Sequence, residues 1–153
     1  MSEIIQVYRN ILFADDDADD RDLFSEAVHF IDPTISITLR CDGEELMEYL
    51  QNDPLAIDLI FLDLNMPRKN GKECLAEIKQ NGQFAKTPVI VYTTSLNPVD
   101  IDETFALGAA FFLRKPNSFE ELKKLLGIIL KGHLSDQEMT KERFVINRAL
   151  NPV

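Results

Sequence analysis

Short continuous apolar runs alternate along this chain with stretches whose apolar residues recur at three- and four-residue steps, the pattern of buried strands separated by amphipathic helices. Tyr8 to Ala14 predicts a first strand, and Asp19 to Phe30 a helix with Leu23, Phe24, Ala27, Val28 and Phe30 on its apolar stripe. Pro33 ends that helix. Ile35 to Leu39 alternates with period two, which marks a half-exposed strand at a sheet edge. Asp42-Gly43 turns the chain into a helix from Glu44 to Gln51, with Leu46, Met47 and Leu50 facing inward. The next strand, Asp58 to Asp63, is continuously apolar between its two aspartates and predicts a central position buried on both faces. A helix from Lys72 to Gln80 follows and ends at Asn81-Gly82. Pro88 opens the strand Val89 to Thr93, where a missing N–H costs no ladder bond. Asn97-Pro98 reads as the cap and first residue of a helix that ends at Gly108. Ala110 to Leu113 is a short fifth strand. Asn117 or Ser118 then caps a last helix with a broad apolar face of Phe119, Leu122, Leu125, Leu126 and Ile129.

Strand-helix alternation with short connections predicts an α/β domain whose parallel sheet is covered on both faces. Five such units end near Lys131, so residues 1–131 are expected to form the domain and 132–153 a C-terminal extension of open conformation. Within the extension Ser135 and Glu138 resemble a capping box, whereas Phe144-Val145-Ile146 reads as extended. A length of 153 residues with 45% hydrophobic content suits one domain. Sixteen basic against 26 acidic residues give a net charge of −10, which argues against DNA as a partner. Cys41 and Cys74 form no CxxC pair and read as reduced structural thiols, in keeping with a cytoplasmic setting. A basic leader is absent and no window approaches the roughly 18 apolar residues of a membrane span, so a soluble protein with no membrane partner is expected.

Candidate chemistry gathers where the strands end. The first runs into Asp15-Asp16-Asp17 and the third into Asp63. In an open parallel sheet the binding crevice lies outside the carboxyl ends of the strands, which brings Asp15, Asp16 and Asp63 into one pocket. Each like-charge pair at about 4 Å costs about 4 kcal/mol at an effective dielectric near 20, so the cluster takes up a proton or a divalent cation. Oxygen ligands without His or Cys favour Mg²⁺. Thr93 ends the fourth strand and Lys115 follows the fifth, adding a hydroxyl and a cation. Pro116 after the lysine predicts a tight turn, a cis bond being one way to make it.

Four segments in this order, ILFADDDADD, LIFLDLNMPRKNG, TPVIVYTTS and GAAFFLRKP, closely resemble the receiver domain of two-component response regulators over residues 9 to 131. The resemblance implies a flavodoxin-like (βα)₅ fold with strand order 2-1-3-4-5. It implies that Asp63 accepts a phosphoryl group from a histidine kinase or phosphotransfer histidine, and that Asp15, Asp16, Asp63 and the Asn65 carbonyl hold Mg²⁺. Thr93 and Lys115 would bind the phosphoryl oxygens, and Asn65 and Ser95 would flank the water that later removes the group. Thr93 and the ring of Phe112, three residues before the lysine, would form the switch; relatives often carry tyrosine there. The output face would span residues 100 to 131, on the fourth helix, fifth strand and fifth helix, with an unnamed output protein or a second copy as its partner. No enzymatic activity is expected beyond self-catalysed phosphotransfer and autodephosphorylation.

Other readings compete. A haloacid-dehalogenase-like Mg²⁺ phosphatase also uses a strand-end aspartate, yet needs a second acid two residues on, where Asn65 stands. A phosphorylation-independent interaction module would not require the full acidic set. Asp15, Asp17, Asp19 and Glu26 approach calcium-loop spacing, but Asp20 occupies the glycine position. His29 and His133 are isolated and carry no relay or metal signal.

Overall fold

The structure is a computed structural model and describes residues 8–52, 56–131 and 141–146. Its strands are β1 (Asn10–Ala14), β2 (Ser36–Arg40), β3 (Leu59–Leu62), β4 (Val89–Thr93), β5 (Phe111–Arg114) and β6 (Val145–Ile146). Its helices are α1 (Ala18–Ile31), α2 (Gly43–Gln51), α3 (Gly71–Gln80), α4 (Pro98–Ala106), α5 (Phe119–Leu130) and α6 (Lys141–Phe144). All strand pairs are parallel, in the order β2-β1-β3-β4-β5-β6. The flavodoxin-like order 2-1-3-4-5 is thus present, with one strand added beyond it.

Strand periodicity assigns the two faces. Ile11, Phe13, Leu59, Phe61, Ile90, Tyr92 and Leu113 point to one side, where Phe24, Ala27 and Val28 of α1 meet Leu122, Leu125 and Leu126 of α5. Leu12, Ala14, Ile60, Leu62, Val89, Val91 and Phe112 point to the other, beneath α2 and α3. On the first side Phe24 stacks on Phe13 at 4.1 Å between ring centroids and meets Phe61 edge-on at 4.8 Å. Such contacts add about 0.5–1.5 kcal/mol each to the burial of the rings.

Local chemistry sets the boundaries. Asp17, Asp42, Asn70, Asn97 and Ser118 cap the five longer helices, each side chain accepting from a backbone N–H of the first turn. Ser118 therefore takes the capping role for which Asn117 was the alternative. β1 begins at Asn10 rather than Tyr8 because the Asp58 carboxylate accepts the N–H groups of Arg9 and Asn10 at 2.9 and 3.2 Å. The apolar stripe of α1 is narrower than its sequence predicts: Leu23 is 42% and Phe30 70% exposed. Both lie beside the buried strip, and Phe30 keeps most of its ring in solvent with the Lys123 ammonium over one part of it, 4.2 Å from its centroid.

The extended reading of Phe144-Val145-Ile146 holds for Val145-Ile146, which form β6 and pair with Phe112 and Leu113, whereas Phe144 ends α6. Phe144 is wholly buried against Phe105 and Phe112, at 5.2 and 6.1 Å between centroids. The proposed Ser135 cap, with Glu138, and His133 lie outside the described residues. No helix among the described residues is long and apolar enough to cross a membrane.

Candidate functional site

The sheet delivers its chemistry to one edge. β1 runs into Asp15, β3 into Asp63, β4 ends at Thr93, and Lys115 follows β5, its backbone N–H tied to the Thr93 carbonyl at 2.8 Å. Register aligns the first two strands so that the Asp63 N–H donates to the Ala14 carbonyl at 3.0 Å. Asp15, Asp16 and Asp63 consequently bring a carboxylate oxygen each to within 4.8 Å of one another. Asp15 and Asp63 are buried and Asp16 is exposed, so the cluster opens to solvent on one side.

Lys115 enters the cluster from the far strand. Its side chain is 11% exposed, and its ammonium stands 2.8 Å from Asp15 Oδ2, 2.8 Å from Asp20 Oδ2 and 3.7 Å from Asp63 Oδ2. The Tyr92 ring lies beneath it at 5.5 Å. The Lys115-Pro116 bond is trans, so the cis option raised by Lys-Pro is not taken; the end of β5 aims the side chain without it. Burial works against the charge on Lys115, but the Asp15 and Asp20 carboxylates paired with it outweigh that and hold the ammonium above its usual range.

Burial acts on the acids in the opposite sense. It pushes Asp63 up to about 7, against the pull of Lys115 and with the help of Asp15. Asp15 is also raised by burial, despite Lys115 beside it. Its Oδ2 is buried without a geometrically sound hydrogen bond, the lysine contact being poorly aligned. A buried, unsatisfied carboxylate oxygen within an all-oxygen acidic cluster is what a hard divalent cation would satisfy, so the residues present fit such an ion. The Asn65 N–H points to Asp63 Oδ1 at 3.4 Å, which fixes the Asn65 backbone at the same mouth.

The hydroxyl side is wired to α4. Thr93 is wholly buried and its Oγ1 accepts the Ser95 N–H at 3.3 Å. Ser95 Oγ donates to Asp100 Oδ2 at 2.8 Å and accepts the Asn97 N–H at 3.0 Å. Lys72 then bridges Asp100 and Glu103 at 2.7 and 2.9 Å. A cleft of about 370 Å³ lies alongside, lined by Leu64, Asn65, Met66, Asn70, Lys72 and Asp100. Phe112 is opposite Val91 in the β4–β5 register, one same-face step below Thr93, and is wholly buried.

The strand-end residues therefore converge as their spacing predicts. Sequence reasoning missed Asp20, which it considered only as the residue standing at the glycine position of a calcium loop. The signal was available: side chains in the first turn of a helix lean toward its N-terminus, so a helix starting at Ala18 turns the Asp20 carboxylate back over the pocket. It also missed Gly71, where an added Cβ would lie 2.3 Å from the Asp63 carbonyl oxygen, so only glycine lets α3 start this close to the end of β3. A second acidic group, Cys41, Asp42 and Glu45, is accounted for by helix capping and by the Cys41 N–H bond to Glu45.

Comparison with known proteins adds independent findings. The profile of the response regulator receiver domain matches residues 11–127. Response regulator Rcp1 of Synechocystis is 35% identical over 122 residues, covering 76% of this chain and 82% of Rcp1. Transcriptional regulatory protein CiaR of Streptococcus pneumoniae is 34% identical over 137 residues, 88% of this chain, which spans 59% of CiaR. Among solved structures, the phosphorylated cyanobacterial phytochrome response regulator RcpA superposes with a TM-score of 0.78 at 31% identity, covering 86% of this chain and 98% of that one. The Mn²⁺-bound form of Rcp1 gives 0.75 at 31% identity, covering 86% and 99%.

Proposed function

We propose, from the premise that this chain belongs to the response regulator receiver domain family, that Asp63 accepts a phosphoryl group from a histidine kinase or phosphotransfer protein. The observation that carries this reading is the meeting of Asp15 and Asp16, which follow β1, with Asp63, which follows β3, and Lys115, which follows β5, at one sheet edge. An Asp63 oxygen attacks phosphorus, the bond from phosphorus to the donor nitrogen breaks, and the histidine leaves with that electron pair. Mg²⁺, held by Asp15, Asp16, Asp63 and the Asn65 carbonyl, would offset the repulsion between an anionic donor and the acids. Lys115 and the Thr93 hydroxyl bind the phosphoryl oxygens. Water attacking phosphorus in line past Asn65 and Ser95 breaks the bond from phosphorus to the Asp63 oxygen, releases inorganic phosphate and returns the carboxylate, so the signal switches itself off.

The switch uses the stacking order of Thr93 over Phe112. Phosphorylation adds roughly −1.5 to −2 charges beside Thr93, whose hydroxyl turns to them and leaves room for the ring to move. Phe112 keeps the steric part of this device without the hydroxyl of a tyrosine. The face formed by α4, β5 and α5 then changes its fit for an output protein or a second copy of the chain. In the folded unit we include α6 and β6, since Phe144 completes the core on that flank. Free thiols at Cys41 and Cys74 suit a cytoplasmic setting. Asn65 at the second position after Asp63 offers no general acid, which weighs against a phosphatase.

The test is labelling by acetyl phosphate with and without Mg²⁺. Wild type is expected to label only with the ion, and Asp63→Asn not at all. Equal labelling of the two proteins would reject Asp63 as acceptor.

A further inference from the structure

We propose that Asp20 is a positioning residue: it holds the Lys115 ammonium on the α1 side of the pocket and releases it when a phosphoryl group arrives on Asp63. The inference rests on the phospho-acceptor reading and assigns a part to a residue that reading does not use.

Three acids face one cation, and their geometry is unequal. Lys115 makes an aligned hydrogen bond only to Asp20, at 2.8 Å. Its equally short contact with Asp15 is misaligned, and Asp63 stands off at 3.7 Å. As found, the ammonium stands closer to Asp15 and Asp20 than to the proposed acceptor. Asp20 is built to hold it there. Its backbone N–H is fixed by the Asp17 cap at 3.0 Å, so the carboxylate projects from a rigid first turn of α1.

Exposure distinguishes the partners again. The Asp15 and Asp63 side chains are 0% and 6% exposed, whereas that of Asp20 is 32% exposed. A buried carboxylate that lost its cation would be stranded in low dielectric, which is costly. Asp20 can turn to water instead, so it is the counter-ion that can be given up cheaply. Binding of a divalent cation by Asp15 would engage the carboxylate that shares Lys115 with Asp20, leaving Asp20 as the lysine's main anchor. The pair thus acts as a tether that opposes capture of an anion at Asp63 and supplies the lysine once the anion is present.

Two measurements test this. In the first, the affinity of beryllofluoride with Mg²⁺ is compared in wild type, Asp20→Asn, Lys115→Gln, the double variant and Asp19→Asn. Asp19 is exposed on the same turn and outside ion-pair distance of Lys115, so it reports loss of charge alone. Asp20→Asn is expected to tighten binding about fivefold, as loss of a competing ion pair implies, with Asp19→Asn and the change within the Lys115→Gln background both under about twofold. An equal gain in Asp19→Asn, or an undiminished gain without the lysine, would show a field effect and overturn the proposal. In the second, the side-chain ammonium resonance of Lys115 is recorded without beryllofluoride. It is expected to be protected from solvent exchange in wild type and lost in Asp20→Asn; an unchanged resonance would overturn the tether. Wild type that binds no beryllofluoride while showing a protected Lys115 ammonium would count against the phospho-acceptor reading and leave the tether standing.

Discussion

The strand-end pocket and the β5 flank sit on the same sheet and are built on opposite terms. On the flank, Phe105, Phe112 and Phe144 from three elements fill one apolar volume with no charge among them. At the pocket, Asp15, Asp63 and Thr93 are buried beside a nearly buried lysine, with one carboxylate oxygen unsatisfied. The flank gains stability from burial at about 25 cal/mol per Å² of apolar surface. The pocket gives stability up, because desolvation raises the acids and leaves them short of partners. Stability and chemistry are thus separated within a few residues of each strand, and Phe112 and Thr93 stand on adjacent strands where the two regimes touch.

That contrast can be broken in graded steps. Phe144→Ala removes the ring that closes the flank and should cost about 3–5 kcal/mol in urea unfolding. A loss under about 1 kcal/mol would mean that the flank contributes little. Asp63→Asn should do the reverse at the pocket. The folded pKa of about 7 lies above the unfolded value near 3.9, so the folded state binds the extra proton, and metal-free stability from this residue falls as pH rises from about 4 to about 7. The asparagine variant escapes that loss: it should be more stable than wild type at pH 8 by on the order of 2–4 kcal/mol and no more stable at pH 4. Equal pH profiles in chelator would refute a strained Asp63. Gly71→Ala, which drives a methyl onto the Asp63 carbonyl, should cost about 1–3 kcal/mol and slow labelling by acetyl phosphate through the shifted acceptor. Unchanged labelling would show that the end of β3 tolerates the push.

The five βα units were legible because each strand is a continuous or alternating apolar run bounded by a capping residue or proline. Residues placed by strand ends, such as Asp15, Asp63, Thr93 and Lys115, were legible for the same reason. What escaped depends on direction rather than order. Asp20 reads as one acid in a run of six positions until the start of α1 fixes which way it points. Leu23 and Phe30 fall on the periodic stripe, but the width of the contact with the sheet and α5 decides which apolar residues are covered, and Phe30 falls outside it with only a lysine from α5 near its ring. Phe144 belongs to a stretch too short for periodicity to classify, and its burial follows from a partner strand distant in sequence.

The links from Thr93 to Ser95, Asp100, Lys72 and Glu103 have a mechanical consequence. Thr93 Oγ1 is the acceptor for the Ser95 N–H, and the Ser95 hydroxyl is bound at both ends within the first turn of α4. Under the proposed switch, a rotamer change at Thr93 would take the acceptor from a donor at the root of that helix, and Lys72 ties the same turn to α3. The expected result is that a shift of one oxygen reaches a surface.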